Sequence, residues 1–172
     1  MKKIILVGYM GSGKSTIGKK LNQNLNIDFI DLDAFIEAKE GLKISEIFKQ
    51  KGEIYFRKQE SIWLNHLLNE NKSLIISLGG GTPCYANNHL RLQDYNVLSF
   101  YLKASIKTLM NRLKQESGRP LLKNIDDLNS FVAQHVFERS YFYNFSKYKI
   151  DVNNREVDDI CLEISSIIQN NN

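Results

Sequence analysis

The octapeptide Gly8-Tyr9-Met10-Gly11-Ser12-Gly13-Lys14-Ser15 constrains this chain more than any other stretch. A glycine, four residues and then Gly-Lys-Ser is the pattern of a phosphate-binding loop. It directly follows the apolar run Ile4-Ile5-Leu6-Val7 and directly precedes a helical pattern. The chemistry needs that context. A buried strand delivers the chain to a tight loop whose glycines let successive backbone N–H groups turn inward. The positive end of the next helix completes a cradle for the β-phosphate of a nucleotide. In such a cradle Lys14 reaches the β- and γ-phosphates of the nucleotide, and the Ser15 hydroxyl ligates Mg²⁺.

Strand-like runs recur at Ile4–Val7, Phe29–Leu32, Leu74–Leu78, Val97–Leu102 and Tyr148–Val152. Several are continuously apolar, as strands buried on both faces are. Helical patterns fall between them, at Lys14–Leu25, Asp33–Lys39, Ile44–Lys51, Glu53–Asn69, His89–Tyr95, Ser105–Lys114, Leu128–Tyr143 and Glu156–Ile168. This rhythm predicts an α/β fold, a parallel sheet with helices on both faces. The 172 residues suit one domain, 1–172, with no linker or repeat. In such sheets ligands bind at the carboxyl ends of the strands, so the functional residues are expected just beyond strand ends.

Composition excludes several classes. Lys2-Lys3 is followed by only four apolar residues before Gly8, too few for a secretory core or a membrane span. Cys84 and Cys161 lack metal-type spacing, so a reducing, cytoplasmic setting is expected. The net charge of +4 is not gathered into a Lys/Arg run with interleaved aromatics. No nucleic-acid face is therefore expected.

Beyond the second strand stands Asp31-Leu32-Asp33. In extended chain, residues two apart point the same way, so both carboxylates can face the phosphate site. One suits Mg²⁺ held through water, and the other suits a substrate hydroxyl. A helix N-cap at Asp33 is the structural alternative. Beyond the third strand stands Gly79-Gly80-Gly81-Thr82-Pro83. Three glycines cost backbone entropy, which close approach to a small ligand would explain and a tight turn would also explain. That strand ends in glycine rather than the Asp-Glu of a motor ATPase. Asn71-Lys72-Ser73-Leu74 has leucine where a guanine reader needs aspartate. Translocases and GTPases are disfavoured. Arg57 and Glu60 lie three apart on one helical face, and on spacing alone they read as a surface ion pair. Gly118-Arg119-Pro120 reads as a loop carrying arginine, a lid over about 112–124 that closes on the transferring phosphoryl group. Arg112, Arg139 and Arg155 carry no meaning from their local sequence alone.

In order, these pieces resemble the shikimate kinases. The resemblance rests on 8–18, Asp31-Leu32-Asp33, Phe56-Arg57-Lys58-Gln59-Glu60, Gly79–Gly81, Arg112 seven residues before Arg119, Arg119-Pro120-Leu121-Leu122 and Arg139-x-x-x-Tyr143. It implies a three-layer P-loop domain with a five-stranded parallel sheet flanked by helices, and a mobile lid. It also implies ATP:shikimate 3-phosphotransfer with Mg²⁺, by a monomer with neither nucleic-acid nor membrane partner. The implied nucleotide set is Gly11, Ser12, Gly13, Lys14, Ser15, Thr16, Arg112, Arg119 and Arg155, with Ser15 and Asp31 serving the metal. For shikimate it implies Asp33 on the hydroxyls, Arg57 and Arg139 on the carboxylate, and Glu60 orienting Arg57. Gly79, Gly80 and Gly81 hold the ring, in a substrate segment over about 33–60 that Phe48 and Phe56 line. Lys14, Asp33 and Arg119 are the implied catalytic residues, Asp33 as base or as orienting group. The sequence departs from the family at Tyr141 and Val157, where prolines are common. Another small-molecule kinase acting on gluconate, or a non-catalytic ATP-binding module, are the rival readings.

Overall fold

The computed structural model of this chain describes residues 1–115 and 127–171. Among them, five parallel strands form one sheet: β1 (Lys3–Val7), β2 (Phe29–Asp31), β3 (Leu74–Ser77), β4 (Val97–Lys103) and β5 (Tyr148–Asp151). Their spatial order is β2-β3-β1-β4-β5. Six α-helices cover the sheet: α1 (Lys14–Leu25), α2 (Leu32–Glu40), α3 (Ile44–Asn69), α4 (Ile106–Gln115), α5 (Leu128–Tyr143) and α6 (Val157–Asn170). β1 and β3 are buried at every position, and β4 at all but Lys103, as strands with helices on both faces require. Lys3 is the polar exception. Its ammonium donates to the carbonyls of Glu70 and Lys72, which satisfies the buried charge at the far end of the sheet. α1 lies so close on β2 that a Cβ at Gly18 would fall 2.1 Å from the Phe29 ring.

The order places β3 between β2 and β1. The segments that leave β1, β2 and β3 are therefore neighbours, and all three carry the motifs predicted to work together.

Two local expectations are corrected and one helix boundary holds. β2 stops at Asp31, and the N-cap of α2 is Asp31, whose carboxylate accepts from the Ala34 N–H. Asp33 thus sits in the first helical turn rather than capping it or continuing a strand. The helix expected over His89–Tyr95 is a 3₁₀ segment, Asn88–Gln93. The helices expected over 44–51 and 53–69 are the two halves of α3, broken at Gly52 (φ 82°, ψ 168°). The lid expected over about 112–124 keeps only its first residues here, in the last turn of α4. Arg119 and Pro120 lie outside the described residues.

Candidate active site

The loop after β1 has its glycines where side chains cannot stand. Gly8 has φ 148°, and a Cβ there would meet Ser12 Oγ at 2.7 Å and the Leu102 carbonyl at 2.8 Å. Lys14 Nζ donates to the carbonyls of Gly8 (2.8 Å) and Tyr9 (3.1 Å), so its ammonium spans the loop mouth. Ser15 Oγ, in the first turn of the helix after the loop, donates to Asp31 Oδ2 at the end of β2 at 2.7 Å. Hydroxyl and carboxylate oxygens beside a phosphate cradle are the hard donors that suit Mg²⁺, which takes few protein ligands and keeps its waters.

A cleft of about 570 Å³ opens over this loop. Gly11, Ser12, Gly13, Ser15 and Thr16 lie along it, with Asp31, Asp33, Gly79 and Gly80 at one end and Arg112, Val152 and Arg155 at the other. Arg112 ties the phosphate loop to the end of β5, donating to the Gly11 carbonyl (3.1 Å) and the Val152 carbonyl (3.2 Å). Arg155 lines the same end but turns its guanidinium onto Glu163 (2.6 Å) and the Asp151 carbonyl (3.1 Å). Val157, one of the departures from the family pattern, lies on this wall.

Gly79–Gly81 leaves β3 at the opposite end, and each glycine makes room for one predicted residue. A Cβ on Gly79 would stand 2.6 Å from Asp33 Oδ1. One on Gly80 would stand 3.4 Å from an Arg139 nitrogen, and one on Gly81 2.8 Å from an Arg57 nitrogen. None of the three has positive φ. Close approach, rather than turn geometry, explains Gly79 and Gly81, while the contact at Gly80 is an ordinary one.

Asp33 Oδ1 is enclosed and has no hydrogen-bond partner among the described residues. Burial raises the Asp33 carboxyl to a pKa of about 6, helped by the negative charges of Glu60 and Asp31 and opposed by Lys14 and Arg57. Arg57 donates to Glu60 Oε2 at 2.7 Å and, through Nε, to Glu53 at 3.3 Å. Phe48, Phe56 and Tyr85 surround its guanidinium, Tyr85 at 4.5 Å. Glu60 is fully buried, so the Arg57–Glu60 pair is an interior pair and not the surface pair that spacing alone suggested. Burial pushes the Glu60 carboxyl up, against the pull of Arg57 and a hydroxyl hydrogen bond from Thr82.

On α5, Arg139 packs over the Tyr9 ring at 5.6 Å. Tyr143, one turn on, donates its hydroxyl to the Gly80 carbonyl at 2.6 Å. Tyr141, the other departure, is 63% exposed, so the change from proline falls on the surface.

The predicted residues thus form two groups. The phosphate loop, Asp31, Arg112 and Arg155 line the cleft. Asp33, Arg57, Glu60, Arg139, Phe48 and Phe56 gather around the glycine loop. Sequence reading missed Thr82, Tyr85 and Asn88. Thr82 and Asn88 are buried polar residues that open two 3₁₀ segments, each too short for periodicity to announce burial. The Tyr143 hydroxyl was within reach of a spacing argument, four residues after Arg139.

The family model described as Shikimate kinase matches residues 10–169. The shikimate kinase of Flavobacterium johnsoniae is 51% identical over 171 residues, covering 98% of this chain and 99% of the relative. Among solved structures, shikimate kinase from Bacteroides thetaiotaomicron superposes with a TM-score of 0.90 at 30% identity, covering 98% of each chain. Shikimate kinase from Acinetobacter baumannii, solved in complex with shikimate, gives 0.89 at 31% identity, covering 99% of this chain and 94% of the other.

Proposed function

This chain belongs to the shikimate kinase family, and we propose that it transfers the γ-phosphoryl group of ATP to the 3-hydroxyl of shikimate. The observation that carries the reading is the glycine loop, whose consecutive residues abut Asp33, Arg139 and Arg57 at the end of a phosphate-loop cleft. A carboxylate and two arginines are what a ring acid with hydroxyls requires. Arginine forks match a carboxylate in shape and stay charged at any working pH.

In this reading Arg57 and Arg139 grip the shikimate carboxylate, and Glu60 fixes the direction of the Arg57 fork. Phe48 and Phe56 wall the ring. The Gly79–Gly81 backbone allows the ring to approach. Asp33 faces the reacting hydroxyl. With a pKa near 6 it is mostly ionised at neutral pH, so it can accept the hydroxyl hydrogen and orient the oxygen lone pair. The oxygen–phosphorus bond forms as the bond from the γ-phosphorus to the β,γ-bridging oxygen breaks. The proton passes to Asp33, and ADP leaves. Such transfers are loose, so positioning and charge neutralisation outweigh base strength.

Lys14 and the loop N–H groups hold the phosphates, Arg112 and Arg155 flank the base, and Arg119 closes from the lid. Mg²⁺ would be held by Ser15 and, through water, by Asp31, and would supply charge neutralisation at the phosphates. Both cysteines are free thiols and no helix among the described residues is long and apolar enough to cross a membrane. Both facts accord with a cytoplasmic enzyme, and we take it to act as a monomer.

The test is coupled measurement of ADP release with Mg²⁺-ATP and shikimate, gluconate or no acceptor. Turnover with shikimate alone is expected. Equal turnover with gluconate, or release unaffected by either acceptor, would overturn the assignment.

A further inference from the structure

Thr82 and Asn88 are both buried, and neither lines the cleft. Each is spent on a hydrogen-bonded circuit that closes on the acceptor side. Thr82 Oγ1 donates to Glu60 Oε1, the oxygen that Arg57 does not use. The Thr82 carbonyl accepts from Asn88 Nδ2 at 2.9 Å. Asn88 Oδ1 accepts from Ser61 Oγ at 3.0 Å, and Ser61 is the neighbour of Glu60 on α3. The circuit therefore runs from α3 out to the segment beyond Gly81 and back to α3 one residue on.

Such an arrangement has a physical consequence for Glu60. A buried carboxylate with one oxygen on a guanidinium still needs a donor for the other. Leaving it unsatisfied costs the desolvation of that oxygen and lets the side chain search for another partner. Once both oxygens are held, Glu60 has a single orientation, and so does the Arg57 nitrogen bound to it. Thr82 also stands just past the glycine loop. Its N–H donates to the Gly79 carbonyl at 3.1 Å, so the same residue fixes the loop against α3.

Resting on the shikimate kinase reading, we infer that Thr82 and Asn88 are positioning residues that set acceptor affinity through Glu60 and Arg57. Their influence falls on the shikimate carboxylate and not on ATP.

The test compares Thr82→Val, which removes the hydroxyl at nearly constant shape, with Thr82→Ser, which restores it, in the full chain. Thr82→Val is expected to raise the shikimate KM about tenfold or more, the loss of one hydrogen bond to a charged group. The ATP KM stays within about twofold, and Thr82→Ser returns the shikimate KM to near the parent value. A double-mutant cycle with Arg57→Ala gives the second readout. If Thr82 acts through Arg57, adding Thr82→Val to Arg57→Ala changes the shikimate KM by less than about threefold. A full tenfold penalty in that background would overturn the inference, as would equal rises in both KM values or failure of serine to rescue. Should the parent protein itself not phosphorylate shikimate, the functional reading fails. An unchanged KM in Thr82→Val beside an active parent sinks only the positioning role. Asn88→Asp, which keeps the acceptor for Ser61 and removes the donor to the Thr82 carbonyl, is expected to follow Thr82→Val in the direction of its KM split.

Discussion

An alanine scan of Gly79, Gly80 and Gly81 separates close approach from every other reason for a glycine run. None of the three adopts positive φ, so the alanine backbone is unstrained and only the new methyl matters. On Gly79 it would lie 2.6 Å from Asp33 Oδ1, about 0.8 Å short of the 3.4 Å at which such a contact becomes ordinary. Thr82 Oγ1 stands at 3.0 Å on another side. Asp33 is a short side chain with an enclosed oxygen, so the carboxylate itself must move. Displacing a reacting group by about 1 Å costs roughly a hundredfold in rate. Gly79→Ala is therefore expected to lower kcat about a hundredfold. On Gly81 the methyl meets the guanidinium end of Arg57 at 2.8 Å, so the fork must shift from its seat on Glu60. Gly81→Ala is expected to raise the shikimate KM about tenfold with a smaller effect on kcat, a carboxylate contact weakened rather than removed. On Gly80 the nearest atom is at 3.4 Å, and the change is expected to be within about threefold. Steady-state ADP release over both substrates, with thermal melts as a folding control, measures all three. The reasoning is refuted if Gly80→Ala is the worst of the set, or if Gly79→Ala keeps kcat within about threefold.

The pKa of Asp33 gives a pH signature. kcat/KM for shikimate is expected to fall as pH drops through about 6, a limb that Asp33→Asn, with its much lower rate, lacks. Stability moves the other way, because the folded protein holds that proton more tightly than the unfolded chain does. The favourable term is complete below about pH 4 and is lost as pH rises through about 6. Asp33→Asn is thus expected to be the more stable protein above pH 7, by up to roughly 3 kcal/mol, with the gap closing in acid. Denaturant titrations at pH 4 and 8 check it, and a variant less stable at pH 8 contradicts it. Lys14→Ala is expected to abolish turnover, since it removes both the phosphate contact and the brace on Gly8 and Tyr9; near-normal ADP release contradicts that. Tyr143→Phe removes the hydrogen bond to the Gly80 carbonyl and is expected to raise the shikimate KM about fivefold at unchanged ATP KM.

The phosphate loop and the strand rhythm were legible because each is a local pattern. Gly8 to Ser15 carries its own backbone logic, and Ile4–Val7 its own burial. Arg139 was different. From its surroundings in the chain it reads as solvent-facing, and only the resemblance placed it at the site. Its proximity to Gly80 depends on α5 crossing the ends of strands far away in sequence. The Asp31–Asp33 pair was read in extended geometry, but Asp31 caps α2, and the turn begins one residue earlier than the hydrophobic pattern suggested. Asn88 and Thr82 were silent because the 3₁₀ segments they open are too short to show a period. Their partners, Ser61 and Glu60, are more than twenty residues away.

The interruption of α3 at Gly52 reaches further than its single residue. Phe48 and Phe56 are eight positions apart, which on an unbroken rod would separate them by about 12 Å along the axis. Here their ring centres are 5.0 Å apart. No atom outside the local chain crowds Gly52, so what it contributes is a bend that other side chains resist. A descendant in which the rod ran straight would still cradle triphosphate on an intact loop, yet would have pulled apart the aromatic corner behind Arg57. Donor handling and acceptor choice would then come undone separately, at one backbone torsion.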